Sequence, residues 1–143
     1  MKSFRLFLIL FLYLVQSCVI NDSDGIITEL EKIVPVKSKF EKVVFIPYRG
    51  CSNCVAKAFD YLKENPIEKD LIVFINYSSE KEIKIRLNIY QVKVSNLIFI
   101  NEASKIIEHG VSSYYPTILD FRNDNNEIVI ADPSNLEVWK RYQ

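Results

Sequence analysis

Two cysteines, in Cys51-Ser52-Asn53-Cys54, stand between an apolar run and a helical one, and this placement constrains the fold more than any other feature of the chain. Residues 43–48 (VVFIPY) are mostly β-branched and aromatic, the mark of a buried strand. Downstream, apolar residues recur at 55, 58, 59 and 62, which is one face of a helix. Ser52 or Asn53 can cap its start, and Pro66 stops it. Residues 71–76 (LIVFIN) form a second buried strand. Strand, helix and strand at this spacing imply a parallel pair with a crossover helix. The cysteines therefore fall where a strand hands over to a helix N-terminus.

The rest of the chain continues the alternation. Residues 82–89 alternate polar and apolar as a half-buried strand would, yet Ile83, Leu87 and Tyr90 also fit a helix. Ser78 and Ser79 with Glu82 resemble a capping box, and a parallel sheet needs a crossover here, so a helix is expected. Residues 97–100 (LIFI) read as a strand, and 103–109 as a short helix ended by Gly110. Residues 117–122 (TILDFR) read as a strand, Asp124-Asn125-Asn126 as a turn, and 127–131 (EIVIA) as the antiparallel partner. Residues 136–142 form a stubby terminal helix. The pattern predicts an α/β fold with a central mixed sheet flanked by helices.

At the N-terminus, Lys2 and Arg5 precede an apolar run over residues 6–15, the layout of a secretory signal. The run is shorter than the roughly 20 residues that span a bilayer. It ends in Val15-Gln16-Ser17-Cys18, which resembles a bacterial lipoprotein signal. That resemblance implies a signal peptide over 1–17, lipid on Cys18, and anchorage to a membrane of the bacterial cell envelope, on its periplasmic or outer-membrane face. Residues 18–42 would be a lipid-anchored tether and N-terminal extension, polar from 21 to 25, with residues 26–36 a short helix or strand broken near Pro35. Residues 43–143 would be the folded domain. The acidic patch after Cys18 resembles the surface-export signal of some Bacteroidetes lipoproteins.

The three cysteines are an odd count for an exported chain. With lipid on Cys18, the pair Cys51 and Cys54 remains. A disulfide persists outside the cytosol, but one closing so short a loop stabilises little, so chemistry explains the pair better than stapling. Loss of Lys2 and Arg5 from a chain with 18 basic and 18 acidic residues leaves a slight acidic excess. Nothing forms the basic stripe of a nucleic-acid binder.

A thiolate at a helix N-terminus is stabilised by the positive end of the helix dipole and becomes a usable nucleophile. Arg49 adds to that field. Cys51, nearer the helix tip, is the expected attacking thiol; Cys54, one turn on and more buried, resolves the mixed disulfide. The residues alone leave three readings: a redox pair, an inert disulfide on a binding module, and half of a metal site, since two thiolates fill only half a zinc shell. His109, the sole histidine, is expected to end a helix near solvent, where a cation suits the dipole. Tyr48, Tyr114 and Tyr115 either line a groove beside the cysteines or pack half-buried. Trp139 is expected to anchor the last helix, and the charges from Lys81 to Arg86 to form one wet helix face.

A second piece of chemistry lies in the turn-rich segment that ends in Tyr115-Pro116-Thr117. The order is strand, Cys51-Ser52-Asn53-Cys54, helix, strand, helix, residues 101–111, Tyr115-Pro116-Thr117, then a hairpin. This resembles the thioredoxin-like superfamily, and within it the TlpA/ResA-type thiol–disulfide oxidoreductases of bacterial envelopes, over about residues 43–131. The resemblance implies a cis Pro116 packed against the cysteines, Tyr115 presenting backbone to an extended substrate, Thr117 opening the next strand and Arg49 on the groove rim. It implies exchange of a dithiol or disulfide at Cys51 and Cys54 with partner proteins, recycled by a membrane redox donor or acceptor. No cofactor and no metal is implied, because the cysteine pair carries the electrons. The sequence departs from that family in four places. Arg49-Gly50 replace a tryptophan, no proline lies between the cysteines, Phe59 replaces a kinking proline, and Phe45 replaces a buried acid. Those departures fit a rival of another class: a non-catalytic surface lipoprotein of the same fold that holds a peptide or a partner.

Overall fold

The computed structural model describes residues 22–142 apart from Pro66, Asp124 and Leu136. The signal segment 1–17, Cys18 and the start of the tether lie outside the described residues. Five strands and five helices follow one another as α1 (Ser23–Glu31), β1 (Lys42–Pro47), α2 (Ser52–Glu64), β2 (Asp70–Ile75), α3 (Glu80–Ile89), β3 (Leu97–Ile100), α4 (Ser104–Glu108), β4 (Thr117–Asp120), β5 (Glu127–Ile130) and α5 (Val138–Arg141).

They build one mixed sheet in the order β3-β2-β1-β4-β5. β1, β2 and β3 are parallel, and β4 and β5 join antiparallel on the other side of β1. Side chains alternate between the two faces. Val44, Ile46, Ile72, Phe74 and Ile118 pack under α2, α3 and α5. Val43, Phe45, Leu71, Val73, Ile75 and Leu119 pack under α1 and α4. Helices on both faces explain why β1 and β2 are buried along their whole length and read as continuous apolar runs.

The ambiguous stretch after β2 is the helix α3. Ile83 and Leu87, one turn apart, are buried, while Ile85 and Ile89 face solvent, which produced the strand-like alternation. Ser79 is its N-cap but makes no side-chain cap bond; Ser78 Oγ instead reaches Glu82 Oε2 at 3.4 Å. The expected wet face from Lys81 to Arg86 is corrected at its last residue. The Arg86 guanidinium is half-buried over the rings of Phe59 (4.9 Å), Tyr48 (5.5 Å) and Tyr90 (5.8 Å), where cation–π attraction and stem burial compensate lost hydration.

The stretch read as a polar tether is also corrected. Asp22 Oδ1 accepts from Gly25 N–H at 2.9 Å and caps α1, whose Ile26, Ile27 and Leu30 are buried. His109 follows α4 as expected but does not stand free. Its Nδ1 lies 2.9 Å from Asp22 Oδ2, and its carbonyl accepts the Asp22 N–H at 3.1 Å. A Cβ at residue 25 would collide with the His109 ring and the Asp22 carboxylate, so a larger residue there would have to displace that pair.

A buried polar network sits at the other end of the sheet from the cysteines. In register, Lys42 on β1 faces Asp70 on β2 and Asp120 on β4. Lys42 Nζ lies 3.3 Å from Asp70 Oδ2, donates to Tyr61 OH at 2.8 Å, and donates to the Tyr142 carbonyl at 3.1 Å. Burial raises the Asp70 carboxyl above its ordinary value, against the pull of Lys42. At Asp120 burial pushes the same way, but the Arg122 guanidinium outweighs it and holds the carboxyl below its ordinary value. The two bonds onto the Tyr142 carbonyl, from Lys42 and from Tyr61 OH (3.2 Å), fasten the short α5. Trp139 anchors α5 as expected, buried against the Tyr61 ring at 5.0 Å.

Candidate functional site

Strand β1 ends at Pro47, and a tight turn, closed by Gly50 N–H on the Pro47 carbonyl at 2.8 Å, delivers the chain to α2. Cys51 is the N-cap of α2. The expected cap, Ser52 or Asn53, is instead inside the first turn and exposed. The capping acceptor is sulfur: Cys51 Sγ accepts the Cys54 N–H at 3.3 Å. Cys51 and Cys54 lie at disulfide-bonding distance, their Cα atoms 5.2 Å apart. Cys51 is half-buried, whereas Cys54 is fully buried, the difference in burial expected from the sequence. One N–H of the first helical turn, that of Cys54, thus points at the sulfur of the more exposed cysteine.

The segment before β4 closes over this turn. The Tyr114 carbonyl accepts the Cys51 N–H at 2.9 Å. A Cβ at residue 50 would collide with that same carbonyl and approach the Pro47 oxygen at 2.9 Å, so Gly50 is what lets the two segments touch. Asn76, at the end of β2 with φ 49°, ties both sides together: its carbonyl accepts the Arg49 N–H at 3.0 Å, and its Nδ2 donates to the Ser113 carbonyl at 3.1 Å.

The contact with the cysteine turn is made by Tyr114, and Tyr115, Pro116 and Thr117 follow it in the chain with differences from expectation. The cis bond expected at Pro116 is not present; no peptide bond among the described residues is cis. The chain reverses instead through a turn headed by Ser112, whose Oγ accepts from Tyr114 N–H (3.2 Å) and Tyr115 N–H (2.9 Å). The Tyr115 N–H is thereby occupied. Pro116 is buried, its carbonyl taking the Ala131 N–H at 2.8 Å, and Thr117 is fully buried with Oγ1 accepting from Ser112 N–H at 3.1 Å. Tyr114 is 53% exposed and meets the Tyr115 ring edge-on, 5.0 Å between centroids. Arg49 is exposed beside the cysteine turn, and Tyr48 is half-buried against Phe74 and under Arg86.

Sequence reasoning missed Asn76 and Ser112. Both are short polar residues in turn-rich positions, which was the only available signal. Phe45, in the place of a buried acid, is fully buried in the apolar layer under α1 and α4, so no carboxylate lies there. Among the described residues no group of three or more His, Cys, Asp or Glu is arranged to hold a metal ion, and no helix is long and apolar enough to cross a membrane. The chain matches no protein-family model, no curated protein and no solved structure.

Proposed function

We propose that this protein is a thioredoxin-like thiol–disulfide oxidoreductase, anchored through lipid on Cys18 to a membrane of the cell envelope. The observation that carries the reading is the Cys51 sulfur serving as the N-cap of a 13-residue helix, with Cys54 buried one turn behind it. The order β3-β2-β1-β4-β5, with the cysteines at the C-terminal end of the central strand, is compatible with that fold.

In the reducing direction, Cys51 thiolate attacks one sulfur of a partner's disulfide. The Cys51–partner bond forms, and the partner's other sulfur leaves as a thiolate that takes up a proton. Cys54, deprotonated, then attacks Cys51 Sγ, closing the Cys51–Cys54 bond and expelling the partner's second thiolate. Two electrons pass to the partner. The oxidising direction is the reverse. Arg49 and the N–H groups of α2 stabilise the thiolate in either case.

The deciding measurement is the equilibrium of the Cys51–Cys54 pair against glutathione in the folded, full-length protein in detergent. A potential near about −270 mV indicates a reductase kept reduced by a membrane donor, and one near about −120 mV an oxidant of new disulfides. A pair that never equilibrates while folded overturns the catalytic reading. The occupied Tyr115 N–H favours the second reading in that event: a non-catalytic lipoprotein that uses this face to hold a peptide or partner. The anchor is tested separately by fractionation. The chain is expected to sediment with membranes, and Cys18→Ala to shift it to the soluble fraction. If both forms distribute alike, lipid on Cys18 is not what holds it.

A further inference from the structure

Beside the cysteine turn lies an open cleft of about 470 Å³ at the C-terminal ends of β2 and β3, the end of a parallel sheet where open α/β folds place ligands. One wall is shared with the redox site. Ser113 precedes Tyr114, which holds the Cys51 N–H, and Asn76 bonds both Ser113 and Arg49. The lining divides by chemistry. Ala103, buried, and Ile107, half-buried, supply apolar surface, while Asn76, Asn101 and Ser113 supply polar atoms. The only ionisable group in the lining is the carboxylate of Glu102, which is exposed and has no ion-pair partner among the described residues.

A side chain with an apolar stem and a cationic head matches that division: the stem lies on Ala103 and Ile107, and the head meets Glu102 and the amide oxygens of Asn76 or Asn101. We propose that this cleft receives a lysine or arginine side chain of the partner polypeptide near the cysteine that Cys51 engages, with Glu102 setting the preference. This rests on the exchange chemistry proposed for Cys51 and Cys54, and it adds a substrate class: disulfides with a basic neighbour. An acidic neighbour is disfavoured at the same place by the Glu102 charge.

The test uses the reduced, full-length protein and two short peptides presented as symmetric disulfides. They are alike except for lysine or glutamate two and three residues from the cysteine. The wild-type protein is expected to reduce the lysine peptide about two- to five-fold faster, the range of a solvent-exposed ion pair. Glu102→Gln should erase that ratio, and Glu102→Lys should reverse it. Because Glu102 is exposed, both variants are expected to fold. The small neutral 2-hydroxyethyl disulfide, reduced by the wild-type protein, reads the cysteine pair alone. If it is reduced but the peptide ratio is near one, or is unmoved by Glu102→Lys, the cleft assignment is wrong and the redox reading stands. If the wild-type protein reduces neither peptide nor the neutral disulfide, the redox reading fails and the assignment falls with it.

Discussion

Replacing Lys42 by methionine is expected to cost about 3–5 kcal/mol of folding stability at neutral pH, because it strands a buried carboxylate. Asp70 is 3% exposed, and its other side-chain neighbour among the described residues is Tyr61 OH at 3.3 Å, whose one proton is shared with the Tyr142 carbonyl at 3.2 Å. The loss has a pH signature. Burial already raises the folded-state pKa of Asp70, and Lys42 restrains it. Removing Lys42 lets it rise further above the unfolded value of about 3.9. A carboxyl raised on folding binds more protons in the native state, so its penalty is small below the unfolded pKa and grows as pH rises through the folded one. Urea midpoints of the wild-type protein and Lys42→Met should therefore lie closer at pH 4 than at pH 7. Adding Asp70→Leu should recover most of the loss, since an apolar pair replaces the ionic one without leaving a charge behind. A gap below about 1 kcal/mol at pH 7, or one that does not change with pH, rules out a charged pair as the source of stability.

The second large effect is functional. Cys54→Ser is expected to leave Cys51 able to attack and unable to be resolved, so a mixed disulfide with the partner accumulates and turnover stops. Cys51→Ser should form no adduct and reduce exchange to the uncatalysed rate. The asymmetry follows from placement: Cys51 is half-buried and its sulfur takes the cap hydrogen bond, whereas Cys54 has no exposed surface. Neither variant should unfold the domain, because a bond closing so short a loop constrains the unfolded chain little. Mass spectrometry of the protein after reaction with a disulfide-bonded peptide reads the adduct directly. Equal adduct yields from the two variants would mean that neither cysteine has a defined role in attack.

The sequence carried the centre of the fold plainly. Two continuous apolar runs around one helical spacing gave β1, α2 and β2, because a sheet covered on both faces leaves no polar face to blur the pattern. What it concealed were contacts between distant residues. Asp22 looks like tether until His109, 87 residues away in sequence, is seen to hold it. Arg86 looks like solvated charge until Phe59 and Tyr48 are placed beneath it. Lys42 and Asp70 fell just outside the strands read at 43–48 and 71–76, since a charge at a strand end normally marks solvent; only cross-strand register pairs and buries them. At the candidate site, the cysteine spacing and its place at a helix start were legible. That a sulfur would be the cap, and that a serine-headed turn would do the work expected of a cis proline, were not, because both depend on backbone geometry that residue type only weakly encodes.

Lys42 opens β1 and Cys51 follows the end of it, so about 16 Å of extended strand lies between the ionic network and the sulfurs. The helix α2 joins the same two places by a second route, since Tyr61 of the network is on the helix that Cys51 caps. The two ends of the domain are therefore linked rather than insulated. A substitution that shifts Tyr61 is carried along α2 toward its cysteine-bearing start, so the stability of one end and the geometry of the other respond together.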